Sequence, residues 1–459
     1  MSTSDQHLDG LLGRLVAGKA ESVTCTDIEV LATALAPSDS DDSSTPASPL
    51  PLLCLGKLVE AASSGGPAAV ESLTASGLVK DLIVPLSKSP NLRVAEQLAN
   101  LCALASGAAD SRAAFVTLGG FDALTRVIST LRTPAPVPAD TRVLLVGCEV
   151  YAKLVQTVPL PQLFSPSTPA VVIAGLGPLL LLAVHPAADP TQLVVALATL
   201  ARLGLVHPKV GSAITSASAA IPAATAAATP REIRVVERVE GALLNPIPEV
   251  SRFAARLVAV LVNSRAGWYY FSGERAHFDF PGDDTPDSEV YKPAAASGLD
   301  AASGRRLGLL LLLLDADDSG ARKAAATALA LLSQSPCAAA ALVALRIVSN
   351  ASVTSPKLWA RVADLFEPEG QRKPASAAGE ARAPRAADTP PPDRELADRG
   401  AMLAANLLTF VDRLPEPERG TQLASAREEG LCEALQAGLA KFGDAVDANI
   451  KAALTVLNK

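Results

Sequence analysis

The chain repeats itself, and that limits its fold more than any other feature. Gly77-Leu78-Val79-Lys80-Asp81-Leu82 opens a helical stretch that ends near Leu86. A turn at Ser87–Asn91 leads into a second helix, Arg93–Ala105, whose apolar residues Val94, Leu98, Leu101, Cys102 and Ala105 fall on one face. A break rich in small residues, Ser106–Ser111, follows. Gly119-Gly120-Phe121-Asp122-Ala123-Leu124 then opens the pattern again, with Gly120 43 residues after Gly77. A helical unit recurring every ~40–47 residues is the mark of armadillo and HEAT arrays. One such unit leaves an apolar face bare, so neighbours must stack on it and share a continuous core. The spacing predicts an all-α, armadillo/HEAT-like right-handed solenoid with flexible insertions.

Composition agrees. Of the 459 residues 49% are hydrophobic and 3% aromatic, with Ala and Leu dominant, and both are strong helix formers. Wholesale disorder is excluded, since disordered chains are poor in aliphatics. The net charge of −7 argues against nucleic acid as a partner, because phosphate binding needs a basic face. The apolar runs Ala170–Val184 and Leu307–Leu314 fall short of the ~20 residues that span a bilayer, so no membrane partner is expected. Six scattered cysteines (Cys25, Cys54, Cys102, Cys148, Cys337 and Cys432) and a polar N-terminus read as buried thiols in a cytoplasmic protein. On that reading the sequon Asn350-Ala351-Ser352 carries no sugar.

Further helix pairs are expected at Arg231–Leu244 with Glu249–Val262, Arg305–Leu314 with Ser319–Leu332, and Leu358–Phe366 with Glu395–Phe410. Leu431–Leu439 and Val446–Leu457 close the chain. The expected organisation is N-terminal helices (1–36), a Ser/Asp/Pro linker (37–51) and an armadillo-like central region (52–264). An acidic aromatic insertion (265–304), further repeats (305–370), a Pro/Ala linker (371–394) and C-terminal repeats (395–459) complete it. Neither linker holds enough apolar surface to offset its ordering entropy. The insertion differs: Trp268, Tyr269, Tyr270, Phe271, Phe278 and Phe280 are six of the 16 aromatics of the chain, set among Asp279, Asp283, Asp284, Asp287 and Glu289.

Motifs for chemistry fail on inspection. Gly13–Ala20 nearly spells a phosphate-binding loop, but Ala20 stands where Ser or Thr must hold magnesium. Asp315–Gly320 begins like a calcium loop, but Ala326 replaces its bidentate Glu, so a helix cap is the better reading. With no nucleophile elbow and no HExxH, neither catalytic residues nor cofactors nor metals are expected. One pattern points to binding: Asn100, Asn263 and Asn406 each follow an Arg (Arg93, Arg256, Arg399) by seven residues, nearly two helical turns, while a fourth such pair, Arg238 and Asn245, lies elsewhere, at a proline-bounded helix end. These side chains could hydrogen-bond a partner's backbone and carboxylates along a groove, or they could satisfy carbonyls between repeats or simply face solvent. The quartet Trp268–Phe271 could anchor a partner or seal the core.

Beyond these readings, the chain resembles the UCS family of myosin chaperones over about 190–459. The resemblance is carried by Val194–Gly204, Glu232–Glu274 and Gly304–Pro336, and by LWARVADLF followed by ELADRGAMLAANLL. Arg399, Gly400 and Asn406 fall on the family's Arg-Gly and Asn positions, and Arg252, Ala254 and Ala255 match its Arg-x-Ala-Ala helix. The resemblance implies a non-catalytic solenoid that holds the myosin heavy chain motor domain, with Arg252 added to the partner-binding groove. Animal members add a tetratricopeptide domain that recruits a heat-shock chaperone. This chain shows no such repeat, as in fungal-type members. Two features depart from the family pattern: the Asn expected near Leu261, and the longer 265–304 insertion. A scaffold, chaperone or exchange factor for small GTPases is the alternative on the same fold.

Overall fold

The structure, a computed structural model, describes residues 3–36, 49–88, 90–132, 140–221, 231–290, 299–344, 358–366, 393–442 and 447–458. The bulk of both expected linkers (37–48 and 371–392) and the sequon lie outside the described residues. Helices of eight or more residues are numbered in chain order below.

Two compact units divide the chain: residues 1–199 with 218–233, and residues 200–217 with 234–459. The first holds α1 (Thr3–Val16), α2 (Cys25–Leu35), α3 (Pro49–Ala75), α4 (Leu92–Ala105), α5 (Ala109–Thr117), α6 (Gly120–Arg132), α7 (Thr141–Thr157) and α8 (Gly177–Val184). α9 (Pro190–Gly204) carries the chain from this unit into the next. Within the unit α1 packs on α3, α3 on α4, and α4 on both α6 and α7, which is stacking between successive helical units. Gly77 takes a left-handed φ of 96° just before the helical stretch Leu78–Leu86, a geometry that favours glycine. The expected break after Ala105 is shorter than the sequence suggests, because α5 begins at Ala109.

The second unit holds α10 (Pro208–Ser216), α11 (Val235–Ala242), α12 (Pro248–Leu261), α13 (Arg265–Ser272), α14 (Leu299–Leu312), α15 (Ser319–Leu332) and α16 (Pro336–Ala344). It ends with α17 (Arg394–Val411), α18 (Glu418–Glu428), α19 (Leu431–Phe442) and α20 (Asp447–Leu457). A ladder runs through it: α12 packs on α15, α15 on α17 and α17 on α20. The seams are lined by fully buried small residues, among them Ala254, Ala255, Ala325, Ala326, Ala328, Ala401 and Ala404. Short side chains let helix axes approach closely while Leu257, Leu329, Leu403 and Leu407 fill the space beside them.

Three expectations need correction. Arg231–Arg234 is not helical: it pairs with Ser218–Ile221 as a two-stranded sheet, and α11 starts only at Val235. The pairing satisfies backbone groups that a short helical extension would leave open. Pro49, assigned to a linker, already starts α3, a position where its missing N–H costs nothing. The cysteines are not uniformly buried. Cys54, Cys102 and Cys148 are, and burial pushes their thiols up to about 11, 12 and 12, whereas Cys25 and Cys337 are exposed.

The seam makes a direct test. Ala325 on α15 is fully buried, so Ala325→Leu must force the ladder apart. A destabilisation of about 1–3 kcal/mol is expected in urea unfolding. An unchanged midpoint would show that α15 does not pack closely there.

Candidate functional site

Each expected groove residue can be located. Arg93 and Asn100 lie on α4, in the first unit; Arg252 and Arg256 on α12, Asn263 just past its end, and Arg399 and Asn406 on α17, in the second. These three Arg/Asn pairs therefore lie on or beside the stacking helices. Four of the five in the second unit occupy the two helices that flank α15, and Asn263 lies two residues past the end of one of them.

Their engagements differ. The Arg252 guanidinium grips Asp318, its Nε 2.9 and 3.0 Å from the two carboxylate oxygens and its Nη2 also donating. Asp318 in turn caps α15, accepting the Ala321 N–H at 2.7 Å. This is the cap expected in place of a calcium loop, and Asp315 of the same turn pairs with buried Arg361 (2.7 Å). Asn406 reaches across the seam from α17, its amide nitrogen donating to the Ala330 carbonyl (3.0 Å) and the Ser333 hydroxyl (3.1 Å). It thereby serves the C-terminal end of α15, where carbonyls run out of helical partners. Asn263 bonds back to Ala259 on its own helix (2.9 Å).

Arg93 and Arg256 are exposed and make no ion pair or side-chain hydrogen bond among the described residues. Arg399 is half-buried. Its nearest carboxylate is Asp398 at 3.7 Å, and its Nε is buried without an acceptor. Gly400 beside it lies against Leu365, whose Cβ would be 2.9 Å from an added methyl, so the backbone of α17 is pressed against the preceding segment at this point.

The aromatic quartet is part of the core. Trp268 (2% exposed), Tyr270 and Phe271 (0%) are buried, and Tyr269 is half-buried. Tyr270 belongs to a packed polar knot. Its hydroxyl donates to Glu240 (3.0 Å), Arg306 bonds both Glu240 (3.2 Å) and the Tyr270 carbonyl (2.8 Å), and the Arg306 guanidinium lies 3.7 Å from the ring centroid. The anchor reading of these residues gives way to a structural one, because helix α13 turns them toward α10 and α14. The aromatic that reaches solvent is Phe278, 43% exposed. Sequence reading placed it in the cluster but gave it no role; its neighbour Asp279 was the available signal.

Among the described residues no group of three or more His, Cys, Asp or Glu side chains is placed to hold a metal, and no single helix is long and apolar enough to cross a membrane.

No protein-family profile matches the chain, and no curated protein matches it in sequence. Solved structures do match in fold. An engineered protein aligns over 100% of this chain and 97% of its own length, at 17% identity and a TM-score of 0.52. She4p aligns over 99% of this chain (14% identity, TM-score 0.56), and UNC-45 from Drosophila melanogaster over 98% (16%, 0.54). The chain spans 57% of the She4p structure and 45% of the UNC-45 structure. The fold is thus an all-α solenoid of the armadillo type.

The Arg252–Asp318 pair makes stability depend on acid. Burial works against the Asp318 charge, but hydrogen bonds from Arg252 and the Ala321 N–H, together with the Arg252 charge, outweigh it and hold the carboxyl below its ordinary value. A lowered native value stabilises the fold above the unfolded-state value of about 3.9, and the gain is lost as pH falls through the native one. Asp318→Asn keeps a capping oxygen but removes the charge. It is expected to lower the urea midpoint at neutral pH, with the gap to wild type closing below about pH 3.9. A gap of equal size at both ends of that range would show that the charge contributes nothing.

Proposed function

We propose that this chain is a non-catalytic, cytoplasmic chaperone of the UCS type that holds a myosin motor domain while it folds. One observation carries the reading. The stretches that resemble the UCS family, Glu232–Glu274, Gly304–Pro336, Leu358–Phe366 and Glu395–Leu408, supply α12, α15 and α17, the first three rungs of the second unit's ladder. Support also comes from the fold shared with She4p and UNC-45.

The mechanism needs no nucleotide. A stacked helical surface covers apolar regions of a partly folded client and releases it when the client buries them itself. Arg256 and Arg399 are the side chains best placed to meet client carboxylates, because neither is held by a strong internal pair. Arg252 and Asn406 contribute indirectly, by fixing α12 and α17 against α15.

The test is client capture. The immobilised full chain is expected to retain myosin heavy chain from cell extract and to suppress light scattering by a warmed motor fragment without ATP. Arg256→Glu and Arg399→Glu should each weaken retention several-fold, since reversing a charge at an interface turns an attraction into a repulsion. Wild-type eluates without myosin heavy chain would remove the named client.

A further inference from the structure

The loop between α13 and the short helix Asp287–Val290 forms a cavity of about 400 Å³, open to solvent. Its wall includes Phe278, Asp279, Phe280, Asp283, Asp284 and Arg265. Three observations on this loop point to a ligand.

First, the cavity is built to hold its shape. Asp283 is buried at the start of α13, accepting hydrogen bonds from the Arg265 N–H (2.9 Å) and the Ser212 hydroxyl (2.6 Å). The Arg265 guanidinium reaches the Thr285 carbonyl (2.7 Å), and Lys209 of α10 pairs with Asp284 (2.7 Å). Gly282 takes a left-handed φ of 83°, and a side chain there would meet the His207 ring at 2.6 Å. A preformed cavity spares a ligand the cost of ordering it.

Second, an aromatic ring is held at the surface. Phe278 is one of few large apolar side chains left exposed among the described residues. Trp268 packs against it at 4.9 Å with planes 80° apart, and Phe280 at 5.1 Å.

Third, the charges do not balance. Asp283 is engaged by a helix N-terminus, Asp284 by Lys209, and Arg265 by Asp287 and a carbonyl. Asp279, next to Phe278 in the wall, is exposed and makes no hydrogen bond or ion pair among the described residues. An unpaired carboxylate beside an exposed ring suits a planar cation, which can lie against the aromatic and pair with the acid at once. A volume near the lower end of the ~300–1,000 Å³ range of small-ligand pockets suits a side chain better than a folded surface.

We propose that this cavity is a peptide-binding site that receives an arginine side chain from a basic segment of a protein partner. The site goes beyond the chaperone reading and stands or falls separately from it. The test uses the full chain and a fluorescein-labelled Gly-Arg-Gly-Arg-Gly peptide followed by anisotropy, with Gly-Glu-Gly-Glu-Gly as control. The arginine peptide is expected to bind saturably and the glutamate peptide not to bind. Phe278→Ala should weaken binding about tenfold, and Asp279→Asn about fivefold with a shallower salt dependence. Both residues are exposed, so an unchanged urea midpoint separates a lost contact from a lost fold. Absence of saturable binding, equal binding of the acidic peptide, or affinity untouched by both substitutions would overturn the proposal.

Discussion

The close approach of α12, α15 and α17 is the constraint on which the rest of the second unit depends. A single helix of this kind cannot cover its own apolar face, so its neighbour must. How near that neighbour comes is set by the side chains between the axes. With Ala at positions 254, 255, 325, 326, 401 and 404 fully buried, the seam is thin and the leucines beside it interdigitate. Thin seams are stiff: a gain of even one methylene is felt across the interface. The direction of the array, and with it the placement of every surface residue, follows from this packing.

Apolar seams of near-identical composition have a weakness, which is that helices can slide along one another. Directional contacts remove that freedom. The Arg252–Asp318 pair joins α12 to the N-terminal end of α15, and Asn406 of α17 takes hold of its C-terminal end through Ala330 and Ser333. Arg361 does the same for the segment before α17 through Asp315. These contacts sit at helix ends, where backbone groups have no intrahelical partner and reward an outside donor or acceptor. Each such pair withdraws a polar side chain from the surface. Of the Arg and Asn positions on α12 and α17, that leaves Arg256 and Arg399 outside any such contact.

Much of this was legible in the sequence. Helical periodicity placed α4, α12, α15 and α17 to within a residue or two, because a face of Val, Leu and Ala repeating at helical spacing has few other uses. The Asp315–Asp318 turn was correctly read as a cap. The strand at Arg231–Arg234 was not, since its partner, Ser218–Ile221, is not adjacent in sequence and local composition carries no trace of the pairing. The Arg/Asn spacing was visible, but which members are engaged internally was not. Asp318 lies 66 residues from Arg252, and Ala330 lies 76 residues from Asn406, so no window of sequence contains both ends of either contact. Trp268–Phe271 shows the same limit: four aromatics in a row say nothing about direction until α13 is docked.

The insertion after α13 shows how a segment with an acidic, aromatic composition becomes ordered. Its carboxylates do different work according to what faces them. Asp283 meets a helix N-terminus, whose free N–H groups and partial positive charge favour an anion even when it is buried. Asp284 meets a lysine. Asp279 is exposed and makes no hydrogen bond or ion pair among the described residues, where a buried, unpaired carboxylate would be far more costly. The fold thus uses two acids to fix the loop and leaves a third beside an aromatic ring that packing alone does not require to be exposed. Arg256 and Arg93 stand in contrast: long side chains on helix surfaces, free to reorient, that must lose rotamer entropy on meeting a partner. A carboxylate carried on a fixed loop has little such freedom left to lose, so the two kinds of side chain would meet a charged group at different entropic cost.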